Sequence, residues 1–136
     1  MSVETDLVIA SRVEEIARAR QWAGDAAAGE GFSSKHVHDL GLVVSEACAN
    51  VIRHAYCGEP DHVIELHLVI DEAKLVLSIR DEGRMFDVDA YQAPDLSEPH
   101  EGGYGVFIIR SLMDEATYDV SQGNGTKLTL VKYREG

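Results

Sequence analysis

The sequence predicts an α+β fold in which helices cover one face of an antiparallel sheet and leave the other face free. Strand patterns occur in consecutive pairs joined by short turns, as in antiparallel hairpins. Helical patterns occur as two neighbouring segments between the first strand and the first hairpin. The 136 residues, 45% apolar and 26% charged, fit one folded domain over 1–136. The predicted order is β-α-α-β-β-loop-α-β-β.

The N-terminal part is predicted to form a short strand followed by a helix. Residues 3–10 fit the strand and residues 12–28 the helix. Ser11 and Glu14 have the S-x-x-E spacing in which each side chain bonds a free backbone amide at a helix start. Gly29-Glu30-Gly31 ends this helix.

A long second helix and a hairpin are predicted next. Ser33 or Ser34 caps a helix over 35–55, which keeps apolar residues at the three-and-four spacing of one buried face. Residues 63–70 and 74–80 then alternate as two strands around a short turn, which predicts an antiparallel hairpin.

The C-terminal part contains a loop, a short apolar segment and a closing hairpin. Residues 84–104 are acidic, contain two prolines and have little periodicity, which predicts a surface loop. Residues 106–113 fit a strand or a buried helix equally well, and the glycines before them favour the helix. Residues 117–121 and 126–133 flank a turn with Gly123 and Gly125, as in a hairpin.

Charge and composition exclude several classes of protein. Twelve basic and 24 acidic residues give a net charge of −12, the wrong sign for holding nucleic acid or an anionic membrane by bulk electrostatics. No apolar run approaches the roughly 20 residues that span a bilayer. The acidic N-terminus lacks the features of an export signal, so we expect a cytoplasmic protein. Cys48 and Cys57 have no metal-ligand spacing and are expected to be reduced thiols.

Four polar residues on the long helix are candidates for a functional site. Glu46 and Asn50 are four residues apart and share a face near the core boundary. There the Asn carbonyl can ligate Mg²⁺ and the carboxylate can take a proton. Arg53 and His54 extend this row and suit an anionic ligand. The alternative is an ordinary solvated face.

Asp81 is a candidate because it falls in phase with the inward-facing residues of its strand, Leu77 and Ile79. A buried carboxylate needs a hydrogen-bond donor, and the amino group of an adenine is one candidate. Gly83 lets the backbone approach such a ring closely. The alternative is a turn residue that ends the hairpin.

Gly102, Gly103 and Gly105 precede the short apolar helix. Glycines expose successive amides, and a helix N-terminus presents partial positive charge to phosphate. A flexible hinge is the alternative. The segment is neither a P-loop nor the spaced GxGxxG dinucleotide motif.

Together these features form four ordered motifs: Glu46-x-x-x-Asn50 with Arg53-His54-Ala-Tyr56, Asp81-x-Gly83, Gly102-Gly103-Tyr104-Gly105, and Gly125-Thr126. In this order they closely resemble the histidine-kinase-like ATPase family, specifically its anti-sigma-factor serine kinase branch. The resemblance implies a Bergerat-type two-layer α/β sandwich with a mixed, mostly antiparallel sheet. It places Mg-ATP between the helices and a lid at about 84–104.

The resemblance also implies a role for each matching residue. Asn50 corresponds to the Mg²⁺ ligand and Glu46 to the base that activates the attacking hydroxyl. Phosphate or sugar contacts come from Arg53 and His54, adenine contacts from Asp81, Gly83 and Thr126, and phosphate-lining amides from Gly102, Gly103 and Gly105. The sequence departs from the wider family at Met85 and Tyr104, which affects the lid and no reactive group.

The implied function is an Mg-ATP-dependent serine protein kinase of a partner-switching system. Members of this branch phosphorylate a serine of a STAS-domain anti-sigma-factor antagonist, and many sequester a sigma factor, usually as homodimers. A second interpretation is an ATP-binding regulatory module that sequesters a protein partner without significant phosphotransfer. A third is a structural α+β domain with accidental motifs.

Overall fold

The structure is a computed structural model that describes residues 2–84, 105–120 and 124–134. Its elements are, in chain order, β1 (Val3–Ala10), α1 (Ile16–Gly29), α2 (Ser34–Asn50), β2 (Val63–Ile70), β3 (Lys74–Asp81), α3 (Gly105–Leu112), β4 (Glu115–Asp119) and β5 (Thr126–Tyr133). The predicted order of helices and strands is confirmed. The segment 106–113, for which the preceding glycines favour a helix, forms most of α3, which ends at Leu112.

The five described strands form one sheet in the order β1-β2-β3-β5-β4. Every neighbouring pair is antiparallel. Along one row of this register Leu66 pairs with Ile79, and Ile79 pairs with Leu128, so apolar side chains from successive strands share the inner face. The α+β fold class with an antiparallel sheet is confirmed.

The core lies between this inner face and the helices. The fully buried side chains include Val43 and Val44 of α2 and Leu68, Leu77 and Leu130 of the sheet. Burying a side chain of this size contributes roughly 1.5–3 kcal/mol. The packing of α2 on the sheet is therefore a main source of stability, and it fixes where the polar end of α2 lies.

The start of the first helix differs from the prediction. A 3₁₀ turn at Val13–Glu15 precedes α1, and its N-cap, Arg12, has no capping side-chain hydrogen bond. Ser11 is buried, and its hydroxyl donates to the Glu59 carbonyl oxygen (2.6 Å) and accepts from the His62 amide (3.1 Å). The predicted Ser11–Glu14 capping box is wrong because a distant loop uses the Ser11 hydroxyl.

The second helix begins as predicted and ends in a different geometry. The Ser33 side chain caps α2 by accepting from the His36 amide at 3.2 Å. After Asn50 the chain continues as a π-helical turn over Val51–Ala55. The Tyr56 amide donates to the Val51 carbonyl oxygen, five residues back, at 3.0 Å. Beyond this wider turn the Tyr56 side chain is buried.

Two predictions near the C-terminus have different outcomes. Strand β4 is Glu115–Asp119, two residues before the predicted range, whereas β5 matches its prediction.

Of the predicted lid at 84–104, residues 85–104 lie outside the described residues, including Gly102 and Gly103. Within the part of the chain that the structure describes, no helix has the length and apolar character needed to cross a bilayer.

Candidate functional site

A cavity of about 420 Å³ lies between the end of α2, the π-helical turn and the inner face of the sheet. Its lining residues are Ala47, Asn50, Val51, Arg53, His54, Ala55, Cys57, Ile79, Asp81, Arg84, Tyr118, Thr126 and Leu128. Five of the sequence-predicted site residues are therefore brought together: Asn50, Arg53, His54, Asp81 and Thr126. They come from distant positions in the sequence.

Asp81 provides a buried carboxylate at the base of this cavity. Only 5% of the residue is exposed, as its inward phase in β3 predicts. Its Oδ1 accepts from the Gly83 amide at 3.0 Å, and the Thr126 backbone also bonds the carboxylate. Burial raises the pKa of Asp81, and these two hydrogen bonds partly oppose that effect. Ionised Asp81 therefore lowers the stability of the protein. A further hydrogen-bond donor on a bound ligand would reduce this loss.

Gly83 connects the Asp81 turn to the π-helical turn. A Cβ at position 83 would lie 2.3 Å from the Ala55 carbonyl oxygen, too close for any side chain. The next residue, Arg84, donates its amide to that same oxygen at 2.8 Å. The absence of a side chain at Gly83 therefore lets the two backbones meet beside the cavity.

Asn50 lies against the first residue of α3. A Cβ on Gly105 would come 2.8 Å from Asn50 Nδ2 and 3.0 Å from its Oδ1. The N-terminus of α3, with its partial positive charge, is thus adjacent to the Asn50 amide. This contact joins two of the sequence motifs, the polar row of the long helix and the last glycine of the Gly102-Gly103-Tyr104-Gly105 motif.

Positive charge collects at the mouth of the cavity. Arg53 and Arg84 line it, both exposed, together with exposed His54. The whole chain has a net charge of −12, so cationic side chains at one cavity favour an anionic ligand there.

Of the remaining predicted residues, Gly102 and Gly103 lie outside the described residues, and Glu46, Gly83 and Gly105 do not line the cavity. Glu46 is half-buried on α2, one turn before Asn50. Gly83 lies next to the cavity through its contact with Ala55.

Residues 2–84, 105–120 and 124–134 contain no group of three or more His, Cys, Asp or Glu side chains able to hold a metal. Mg²⁺ keeps several waters and uses few protein ligands beside phosphate oxygens, so a lone Asn50 oxygen fits such a site.

Sequence reasoning missed the apolar walls of the cavity. The sequence predicts Ile79 only as an inward-facing strand residue, and it predicts Leu128 and Tyr118 only as members of the closing hairpin. Their alternation carries no signal that separates a core residue from a wall residue. These walls are suited to the faces of a planar ring.

Comparison with known proteins identifies a family for this chain. Residues 9–132 match the histidine kinase-like ATPase domain. The chain is 32% identical to "Serine-protein kinase RsbW" of Listeria monocytogenes serovar 1/2a, over 93% of this chain and 85% of that protein. It is 27% identical to the protein of the same name from Bacillus subtilis strain 168, over 96% and 86% of the two chains.

Solved structures show the same fold. The crystal structure of the RsbU and RsbW domains of a Mycobacterium tuberculosis protein has a TM-score of 0.72 at 16% identity, covering 98% of this chain and 33% of that one. A blue-light activated histidine kinase of Erythrobacter litoralis has a TM-score of 0.57 at 24% identity, covering 74% and 31%. At these identities the likeness concerns the fold alone.

Proposed function

Because the chain belongs to the histidine kinase-like ATPase family, we propose that it is an Mg-ATP-dependent serine protein kinase and anti-sigma factor of a partner-switching system. The observation that carries this proposal is the convergence of Asn50, Arg53 and Asp81 on one cavity. Relatives named serine-protein kinase, matching nearly the whole chain, support the choice of reaction.

Asp81 is proposed to bind the adenine. Its ionised carboxylate accepts a hydrogen bond from the exocyclic amino group, while Ile79 and Leu128 contact the ring faces. Thr126 lies directly opposite Asp81 in the β3–β5 register and completes the polar edge of this subsite. Discrimination against a base without the amino group follows, since the buried carboxylate would lose a donor.

The phosphates are proposed to lie between Asn50 and the mouth of the cavity. The Asn50 carbonyl oxygen ligates Mg²⁺, while Arg53 and His54 contact phosphate or sugar oxygens. The glycines of the sequence motif before the apolar helix, Gly102, Gly103 and Gly105, are proposed to offer their amides to the phosphates. When bound, Mg²⁺ supplies charge neutralisation at the terminal phosphates.

Glu46 is proposed as the base for phosphoryl transfer. A partner serine oxygen forms a bond to the γ-phosphorus, the bond from that phosphorus to the β,γ-bridging oxygen breaks, and ADP leaves. Glu46 takes the proton of the serine hydroxyl. Its half-buried place one turn before Asn50 suits a residue that meets an incoming protein substrate. Positioning and charge stabilisation then provide most of the acceleration.

The proposed protein substrate is a STAS-domain anti-sigma-factor antagonist, and the proposed effector is a sigma factor held by a homodimer of this chain. The names of the relatives support the anti-sigma branch. Phosphorylation of the antagonist would release it and leave the chain free to hold the effector.

The test uses labelled ATP, Mg²⁺ and candidate STAS-domain antagonists. We expect phosphate on a partner serine, and Glu46→Gln should lower the rate at least about 100-fold while nucleotide affinity is retained. Glu14→Gln, an exposed glutamate in the 3₁₀ turn, is the matched control and should leave the rate unchanged. Full activity of Glu46→Gln would contradict the assigned base.

The second candidate is an ATP-binding module that sequesters a partner without phosphotransfer. It is favoured by one observation: Glu46 lies outside the cavity lining, whereas five proposed nucleotide contacts line it, namely Asn50, Arg53, His54, Asp81 and Thr126. Mg-ATP binding together with stable binding of an antagonist, and no phosphoserine on any antagonist tested, would select this function.

A further inference from the structure

The Tyr56 hydroxyl joins three segments of the chain at one oxygen. Tyr56 follows the π-helical turn and is 5% exposed. Its hydroxyl donates to the Val63 carbonyl oxygen at the start of β2 at 2.6 Å. The same oxygen accepts from the Glu82 amide, in the turn after β3, at 2.9 Å.

The Tyr56 ring is packed on two sides. It stacks on His62 with a centroid distance of 4.5 Å and an interplanar angle of 11°. Its Cδ1 would lie 2.8 Å from a Cβ at Gly83, so the ring occupies the space left by that glycine. Burial is the main cause that raises the pKa of Tyr56, which keeps the hydroxyl protonated and able to donate.

We infer that Tyr56 is a positioning residue for base recognition by Asp81, an inference that rests on the proposed nucleotide site. The hydroxyl holds the Glu82 amide and so fixes the peptide between Asp81 and Gly83. The Gly83 amide then points at Asp81 Oδ1, and this 3.0 Å bond orients the carboxylate together with the bond from the Thr126 backbone. Tyr56 touches no part of the base and acts through this turn.

Loss of the hydroxyl alone should loosen the turn without unfolding the domain. The turn has a second attachment, the bond from the Arg84 amide to the Ala55 carbonyl oxygen at 2.8 Å. The ring of a phenylalanine keeps the packing against His62 and Gly83. The carboxylate then keeps its bond to the Thr126 backbone but is oriented less firmly by Gly83, so binding energy that depends on one hydrogen bond to the base should fall.

The experiment compares ADP with IDP, which has a carbonyl where adenine has its amino group. Dissociation constants of the Mg²⁺ complexes are measured by calorimetry for the wild type, Tyr56→Phe and the control Tyr133→Phe. Tyr133 is a 44% exposed tyrosine whose hydroxyl bonds Glu115. We expect the preference for ADP over IDP to fall about tenfold in Tyr56→Phe and to stay unchanged in Tyr133→Phe.

A thermodynamic cycle separates positioning from a general structural effect. In an Asp81→Asn background, Tyr56→Phe should cause no further loss of the ADP preference, because the carboxylate that it positions is gone. An equal fall in ADP and IDP affinity would show a merely structural role and overturn the inference. So would an unchanged preference in Tyr56→Phe.

Three outcomes separate failure of the inference from failure of the variant or of the proposed site. If Tyr56→Phe does not fold, amide hydrogen exchange on the wild type replaces it: ADP should slow exchange of the Glu82 amide more than IDP does, and equal protection overturns the inference. A wild type that binds neither nucleotide would overturn the proposed site itself. If the wild type prefers ADP over IDP and Tyr56→Phe has the same preference, only the role of Tyr56 is overturned and the proposed site stands.

Discussion

A Cβ at Gly125 would lie 1.9 Å from the backbone carbonyl oxygen of Asp81. Gly125 also has a φ of +74°, a conformation that residues with side chains rarely adopt. The start of β5 therefore packs directly on the end of β3, which carries the buried carboxylate. A glycine far along the chain thus determines the shape of the proposed base site.

Gly125→Ala should destabilise the domain and abolish nucleotide binding. The added methyl group would clash with the backbone carbonyl group of Asp81, which cannot move aside by changing a side-chain rotamer. The positive φ of residue 125 would strain an alanine further. We expect a loss of at least about 2 kcal/mol in the free energy of unfolding, measured by urea denaturation. Gly29→Ala is the control, since a Cβ there meets nothing within 4 Å, and its stability should stay level or rise. Equal losses for both variants would contradict the contact.

Asp81→Asn should stabilise the ligand-free protein at neutral pH while weakening ADP binding. Burial raises the pKa of Asp81, so the ionised carboxylate costs stability above that pKa and protonation removes the cost below it. We expect the Tm to rise by roughly 1–3 °C at pH 7, and this advantage to shrink as the pH falls through the raised pKa. Exposed Asp61→Asn is the control, and its Tm at pH 7 should stay close to that of the wild type.

Much of the fold is encoded in local patterns. The strand at residues 63–70 was predicted with both ends correct because its side chains alternate between exposed and buried positions over the whole length. The π-helical turn after Asn50 was not predicted, since its residues continue a helical apolar spacing. The residue after this turn, Tyr56, bonds Val63 and Glu82, and contacts with such distant residues cannot be seen in a local pattern.

The candidate site was predictable where a polar residue broke an apolar pattern. Asp81 was inferred to be buried from its phase in β3, and it is buried. The contact between Gly105 and Asn50 brings two motifs together that only the order of elements connects. Ile79 and Leu128 could not be separated from the core, because a cavity wall and a core residue have the same alternation.

Asn50→Ala should remove the dependence of ATP affinity on Mg²⁺. The variant loses the one amide oxygen proposed as a metal ligand and keeps the base site at Asp81. We expect the wild type to bind ATP more tightly with Mg²⁺ than with EDTA, and this ratio to fall on the order of tenfold, or about 1.4 kcal/mol. Exposed Asn124→Ala should retain the ratio. If the ATP affinity of Asn50→Ala depended on Mg²⁺ as much as that of the wild type, Asn50 would not be a ligand of the metal.

Cys57 should report occupancy of the cavity. It lines the cavity and is exposed, whereas Cys48 is buried with its pKa raised to about 12 by burial. A maleimide should therefore label one thiol in the folded protein and two in urea. Saturating Mg-ADP should slow labelling of Cys57. A rate that does not depend on nucleotide would show that the ligand does not reach this wall.

Ser11→Ala should destabilise the domain although Ser11 caps no helix. The variant leaves the Glu59 carbonyl oxygen and the His62 amide without the hydroxyl that bonds both. Ser11 is 1% exposed, so water cannot readily replace it, and we expect a loss of about 1–3 kcal/mol in urea denaturation. Because His62 also stacks on Tyr56, ADP affinity should fall as well.

Glu14→Ala distinguishes this role of Ser11 from the capping box that the sequence predicts. In a capping box the serine and the glutamate act reciprocally, so both substitutions would cost similar stability. In the structure Glu14 is exposed and Arg12, not Ser11, is the N-cap residue of the 3₁₀ turn. Glu14→Ala should then leave the free energy of unfolding within about 0.5 kcal/mol of the wild type. If Glu14→Ala lowered the free energy of unfolding as much as Ser11→Ala does, the result would support the capping box, in which the Ser11 hydroxyl bonds an amide at the helix start.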